Sequence, residues 1–262
     1  MRRTFRILCV LLLCCGFVTK DTYRQIRNNS FSRGEVLEFR IHYGFINAAE
    51  GVVEVHQNLF KINNRPCYRV NVHGRTIGGF DLVLRIRDTW RSYIDTAAMV
   101  PHRFQVNIQE GKYRKDETVY FNHEAGTIRS EEVNSDTKEF ELKRNVQDLV
   151  SGYFFLRTVD FNHVRVGDIV QVDAFFDDDF YDFKVRYRGK GEVDTKWGKI
   201  RCILLNPVMP ANQLFKGENS IRVWVSDDEN KIPIKVEAEM FVGAVELDLK
   251  KHKNLRHPLK FY

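Results

Sequence analysis

The chain has 262 residues, 43% of them hydrophobic and 29% charged, with 41 basic against 35 acidic side chains and a net charge of +6. That length holds one large β domain or two smaller ones, and the balance excludes wholesale disorder. Six prolines and sixteen glycines exclude collagen-like and proline-rich classes, while twenty Phe and ten Tyr favour β-sheet.

Arg2, Arg3 and Arg6 precede an apolar run from Ile7 to Leu13 that continues to Val18. A basic start and a short apolar stretch read as a secretory signal over residues 1–16, too short for the roughly 20 residues of a membrane span. Leu12-Leu13-Cys14-Cys15 resembles a relaxed lipobox with Cys15 as the lipidated residue, although Cys14 stands where Gly, Ala or Ser is usual. Cleavage after Gly16 into a freely soluble product is equally readable. Without Arg2, Arg3 and Arg6 the 41 basic residues become 38 against 35 acidic, a net +3 that does not argue for nucleic acid. Of five cysteines, only Cys67 and Cys202 lie beyond the signal. With no C-x-x-C pair, zinc ribbons and thioredoxin chemistry are excluded. The two read as buried thiols in strands, with a disulfide as the alternative for an exported protein.

After a linker over residues 17–33, strand patterns follow one another. Val36–Tyr43, Gly51–His56, Cys67–Val72, Phe183–Tyr187 and Ile221–Val225 alternate with period two, the mark of one buried and one wet face. Asn63-Asn64, Gly78-Gly79, Trp197-Gly198 and Asp227–Asn230 supply turns. A charged hairpin from Tyr113 to Leu142 reads as an insertion. From Val146 to Arg157 the spacing of Val146, Leu149, Val150, Tyr153 and Phe154 predicts a helix, with Asn145 as cap and Asp148 in its first turn. Lys250, Lys251, Lys253, Arg256 and Lys260 make residues 250–262 a basic, solvated tail.

Landmarks recur around that helix. Gly34-Glu35 and Gly167-Asp168 each open a strand, Cys67 matches Cys202, and Asp95…Pro101 matches Asp227…Pro233, at offsets of 133, 135 and 132 residues. The pattern predicts a duplicated β unit. The fold class expected is mainly β and antiparallel: two related curved-sheet units, 34–144 and 159–249, open and barrel-like, joined by one central helix over 145–158.

Gly34-Glu35-x-Leu37, Tyr43-Gly44, Ala49-x-Gly51, Arg87-Asp88-Thr89, Ser92-Tyr93-x-Asp95, Phe215-Lys216-Gly217 and Trp224–Pro233 resemble the bacterial exported family catalogued as domain of unknown function 3108. The likeness runs from about Gly34 to Leu249 and is closest to Bacteroides-like members. The resemblance implies export and carries over no catalytic residues, because the family has no agreed ones. The Asp-x-x-x-x-x-Pro hairpins also resemble, loosely, those of LolA-type envelope lipoprotein carriers, half-open barrels with an apolar cavity.

No G-x-S-x-G, H-E-x-x-H, Walker loop or dinucleotide fingerprint is present, so no catalytic residue is assigned, and no metal or cofactor is expected. Asp177-Asp178-Asp179 lacks the glycine and spacing of a calcium loop and reads as a solvated hairpin tip. Arg85 and Arg87, placed on one strand face beside Trp90, are candidate ligand-binding residues: guanidinium groups can grip a carboxylate or phosphate, and an indole can cover an acyl chain. Leu149 and Tyr153 on the helix are candidates for the wall of an apolar cavity. The function expected is binding or carriage of a lipid or other amphiphile in the periplasm or at the outer membrane of a Gram-negative bacterium, with membrane attachment only through a lipid anchor. A structural adaptor for an envelope protein or glycan is the alternative, and a hydrolase assembled from distant residues is a third reading.

Overall fold

The computed structural model describes residues 23–208, 219–240 and 243–261. The expected secretory signal and the lipidation candidate Cys15 lie outside the described residues. One antiparallel sheet of fourteen strands runs in the order β8-β7-β6-β5-β4-β3-β2-β1-β14-β13-β12-β11-β10-β9. The first eight are β1 (Val36–Tyr43), β2 (Ile46–Ile62), β3 (Arg65–Thr76), β4 (Arg87–Asp95), β5 (Pro101–Glu110), β6 (Tyr113–Asn122), β7 (Thr127–Glu132) and β8 (Lys138–Glu141). The other six are β9 (Ile169–Phe176), β10 (Asp179–Thr195), β11 (Gly198–Pro207), β12 (Ile221–Ser226), β13 (Pro233–Glu239) and β14 (Ala244–Lys253). A short α1 (Gly78–Val83) joins β3 to β4, and α2 (Leu149–Leu156) with a 3-10 turn (Phe161–His163) joins β8 to β9.

A flat sheet of this order would hold its ends about 60 Å apart at roughly 4.8 Å per strand. Instead the end strands meet. Lys138 beside β7 reaches Asp178 at the β9–β10 tip at 2.7 Å, and Lys115 on β6 reaches Asp177 at 2.6 Å. Phe140 of β8 and Phe175 of β9 pack edge to face at 5.0 Å. The sheet therefore curls into a barrel-like wall that is left unclosed, since β8 pairs only with β7 and β9 only with β10 among the strands. The acidic tip lies where the end strands meet, its Asp177 and Asp178 engaged by lysines.

A wall of fourteen strands encloses more space than inward side chains can fill. The helix α2 and the segment ahead of β1 occupy much of it. Phe31, fully buried, packs edge to face on Phe154 of α2 at 4.7 Å. Within residues 23–33, expected as a linker, Ser30 and Phe31 are buried and Ile26 packs against the core. Ile26 donates its N–H to Ala97 O, and Ser30 donates its hydroxyl to the carbonyl of Arg157 at 2.6 Å.

The helix is shorter than its periodicity suggested. Asn145 does not cap it but sits in the left-handed region at φ +60°. Asp148 is the cap: its carboxylate accepts from the N–H groups of Val150 and Ser151, and the Ser151 hydroxyl accepts from the Asp148 N–H. The preceding residues are drawn to β9 instead, where Gln147 N–H donates to Asp173 O and Phe175 N–H to Gln147 O, both at 2.8 Å. The basic tail is corrected too: β14, through Lys253, lies mid-sheet between β1 and β13. Beyond it Leu259 is buried against Leu37 and Ile232, and His257 N–H donates to the Asn230 side chain.

The two runs of strands are alike at two places. Gly34, at φ +82°, donates to Val55 O, and Gly167, at φ +98°, donates to Tyr187 O, each at 2.8 Å. Cys67 on β3 pairs with Asp95 at the end of β4, and Cys202 on β11 with Ser226 at the end of β12. Both cysteines are buried and unbonded.

Candidate functional site: an apolar cavity beside helix α2

The two faces of α2 meet different surroundings. Val150, Phe154 and Arg157, spaced as one helical face, are buried; the two apolar members pack into the core with Val70, Phe104 and Phe121. The adjoining face of Leu149, Gly152, Tyr153 and Leu156 borders a cavity of about 530 Å³. The far wall is the inner face of β9–β13. Val172, Ala174 and Phe176 alternate along β9, Tyr181, Phe183 and Val185 along β10, and Val223 and Val225 along β12. The walls are overwhelmingly hydrocarbon. The volume lies in the range of small-molecule sites, which are largely apolar with few polar groups.

The polar groups on its border are mostly committed to the fold. Asp148 is fully buried; burial pushes its carboxyl up to about 6, against the pull of hydrogen bonds from Ser92 and from Ser151 and Val150. Arg157 grips both Glu35 oxygens at 2.6 and 2.9 Å and donates to Asn230 O and Ser30 O. Lys231 is half-buried, and burial lowers its ammonium pKa. The Tyr153 hydroxyl is buried without a partner at hydrogen-bonding geometry, and burial raises its pKa.

Of the expected site residues, Leu149 and Tyr153 lie on this cavity, whereas Arg85, Arg87 and Trp90 do not. Arg87 is held by Asp81 through two bonds, at 2.7 and 3.0 Å. Arg85 is exposed. Trp90 packs on the core of the first half of the sheet. They fall apart because β4 begins at Arg87, so Arg85 belongs to the loop that follows α1. The wall residues Phe176, Tyr181, Phe183 and Val223 were not singled out in the sequence; the period-two alternation of β9 and β10 was the available signal.

The densest polar cluster is elsewhere. Asp95 is buried and receives Arg65, His102 and the N–H groups of Ala97 and Ala98. Burial alone would raise its carboxyl; the bonds from His102, Arg65 and these amides outweigh burial and hold it low. This cluster fastens the β4–β5 turn. Cys67 nearby has its thiol pushed up to about 12, first by burial and then by Asp95, so it is a poor nucleophile. Among the described residues no group of three or more metal-ligating side chains gathers.

The model of the family described as "Protein of unknown function (DUF3108)" matches residues 38–250. The chain belongs to that family. No curated protein matches this DUF3108 chain. Among solved structures, a β-barrel-like protein of the domain of unknown function DUF1849 from Brucella abortus superposes with a TM-score of 0.52 at 10% identity, over 88% of this chain and 99% of that one. The likeness is one of fold. A Bacteroides fragilis protein described as exported, with a YmcC-like fold, gives 0.39 at 10% identity over 88% of this chain and 100% of its own. A Parabacteroides distasonis protein described as a lipoprotein gives 0.37, with the same identity and coverage. None of these three is described as a LolA-type carrier.

Proposed function

We propose that this DUF3108 chain is an exported cell-envelope protein that binds or carries an apolar or amphiphilic ligand in the cavity beside α2, with no enzymatic chemistry of its own. The observation that carries the reading is the cavity: about 530 Å³ with almost wholly hydrocarbon walls, bordered by one face of a helix whose other face is fully packed. Apolar walls left open to solvent forfeit burial and packing, and a ligand with a hydrocarbon part recovers them. Export is supported by the basic start and apolar run of residues 1–16. The adaptor reading draws less support, because the edge strand β8 is four residues long and carries three charges, Lys138, Glu139 and Glu141.

The test is titration of delipidated protein with a fluorescent fatty-acid probe. Saturable binding is expected in the wild type, and its loss in Val223→Trp, which places an indole in the empty space, with the melting temperature preserved. A wild type that takes up no probe, or a Val223→Trp variant that binds as well as wild type, overturns the reading.

A further inference from the structure

Large apolar side chains crowd one rim of the barrel-like wall. The β1–β2 turn, the α1 connection and the β5–β6 turn all leave the same end of the antiparallel sheet. Phe45 at the first tip is fully exposed, and Ile46 beside it is 60% exposed. Leu82 and Val83 of α1 are 90% and 87% exposed, and α1 buries no residue at all. Soluble proteins rarely expose apolar groups in such a cluster without a use for them.

The orientation of α1 is imposed by polar anchors. Asp81 accepts from the Thr76 hydroxyl at 2.7 Å and from Arg87 at 2.7 and 3.0 Å. These bonds fasten the polar side of the turn to the sheet and leave Leu82 and Val83 facing outward. The neighbouring tips are tied to the same rim: Ile77 N–H donates to Ala48 O at 3.0 Å, and Gly111 N–H to Arg85 O at 2.9 Å.

The rim is also cationic where it is apolar. Arg85 and Lys112 are exposed and make no ion pair among the described residues. Arg114 donates to the carbonyls of Gly111 and Tyr113, which leaves its charge unneutralised. Of the acids nearby, Asp81 is engaged by Arg87, Glu110 is pushed toward its protonated form by burial and by neighbouring Asp88, and Asp116 accepts from the Asn107 amide.

We propose that this rim is a peripheral docking surface for an anionic lipid bilayer. Phe45, Ile46, Leu82 and Val83 enter the headgroup–acyl boundary, and Arg85, Lys112 and Arg114 meet lipid phosphates. Protruding apolar tips beside cations suit a soft, negatively charged interface. A second copy of the chain suits it less, since self-association would bring the same cations face to face. The proposal does not depend on the cavity.

Flotation with lipid vesicles tests it. The chain from residue 17 onward, which holds the whole described fold and omits the apolar leader, is mixed with vesicles of phosphatidylcholine alone or with phosphatidylglycerol added. Cofloating with the anionic vesicles is expected, falling as salt is raised. Leu82→Asp, and separately Arg85→Glu with Lys112→Glu, should each weaken it on the order of tenfold or more. Lys251→Glu with Lys253→Glu, on β14, should leave it unchanged, as should the melting temperatures of the rim variants. No binding to anionic vesicles, equal binding by the rim variants, or loss on changing Lys251 and Lys253 overturns the proposal. So does a wild-type dimer in sedimentation that Leu82→Asp dissolves.

Discussion

The two faces of α2 give the sharpest stability test, because a packed core and an open cavity answer truncation differently. Phe154 is fully buried, edge to face with Phe31 at 4.7 Å and with Tyr153 at 5.2 Å. Phe154→Ala removes a whole ring from a filled core, for a loss of about 3–5 kcal/mol. Leu149 is 48% exposed and its inner side borders empty space. Half of the roughly 1.5–3 kcal/mol of a fully buried leucine is at stake, or about 1 kcal/mol, with little cavity penalty since the space is already there. Urea unfolding separates the two. With a slope of about 3 kcal/mol per M, Phe154→Ala should lower the midpoint by about 1 M or more, and Leu149→Ala by about 0.3 M. Leu149→Ala should also weaken fatty-acid probe binding. If Leu149→Ala costs as much stability as Phe154→Ala and leaves probe binding untouched, the helix packs on both faces and the argument for the cavity fails.

Arg157→Met should cost about 3–5 kcal/mol by leaving Glu35 buried without its partner, and Arg157→Met with Glu35→Leu should recover part of it; a double variant as unstable as the summed singles would show the pair uncoupled. Cys67 and Cys202, whose thiols burial pushes up to about 12, should not react with a disulfide reagent in the native chain from residue 17 onward, and both should react in denaturant; prompt native labelling of either contradicts this. Burial pushes His123 down to about 4 from 6.5, so the unfolded chain takes up its proton first as pH falls. Its contribution to stability is therefore complete above pH 6.5 and is lost between about pH 6.5 and 4. Asp148, raised from 3.8 to about 6, acts with the opposite sign, its contribution complete below pH 3.8 and lost as pH rises to about 6. The difference between wild type and His123→Gln isolates the histidine: its pH slope of melting temperature should shift toward the Asp148 direction, and an unchanged slope refutes the assignment.

Much of the wall was legible along the chain, because strand alternation and turn chemistry are local. Val36–Tyr43, Cys67–Val72 and Ile221–Val225 announce themselves by period two, and Gly34 and Gly167 each precede a strand. The family was legible for the same reason, its motifs being short and contiguous. The helix was half legible. Apolar spacing found it, but its start was set by Asp148 closing a capping box and by Gln147 joining β9, a choice that depends on where β9 lies. Arg85 was misplaced by a neighbouring cause, since the turn held by Asp81 and Arg87 moves it off the strand and onto the rim.

The cavity belongs to the tertiary structure alone. Its walls come from one face of α2 and alternate residues of five strands, and nothing in the spacing of Leu149, Phe183 and Val223 says they surround one space. That is decided when fourteen strands curl until Phe140 meets Phe175, and when Phe31 and Phe154 fill one half of the enclosed volume and leave the other open. Local pattern determines which side of a strand is apolar. Whether that side ends against another side chain or against open space depends on the volume the curled wall surrounds, a property of the whole sheet.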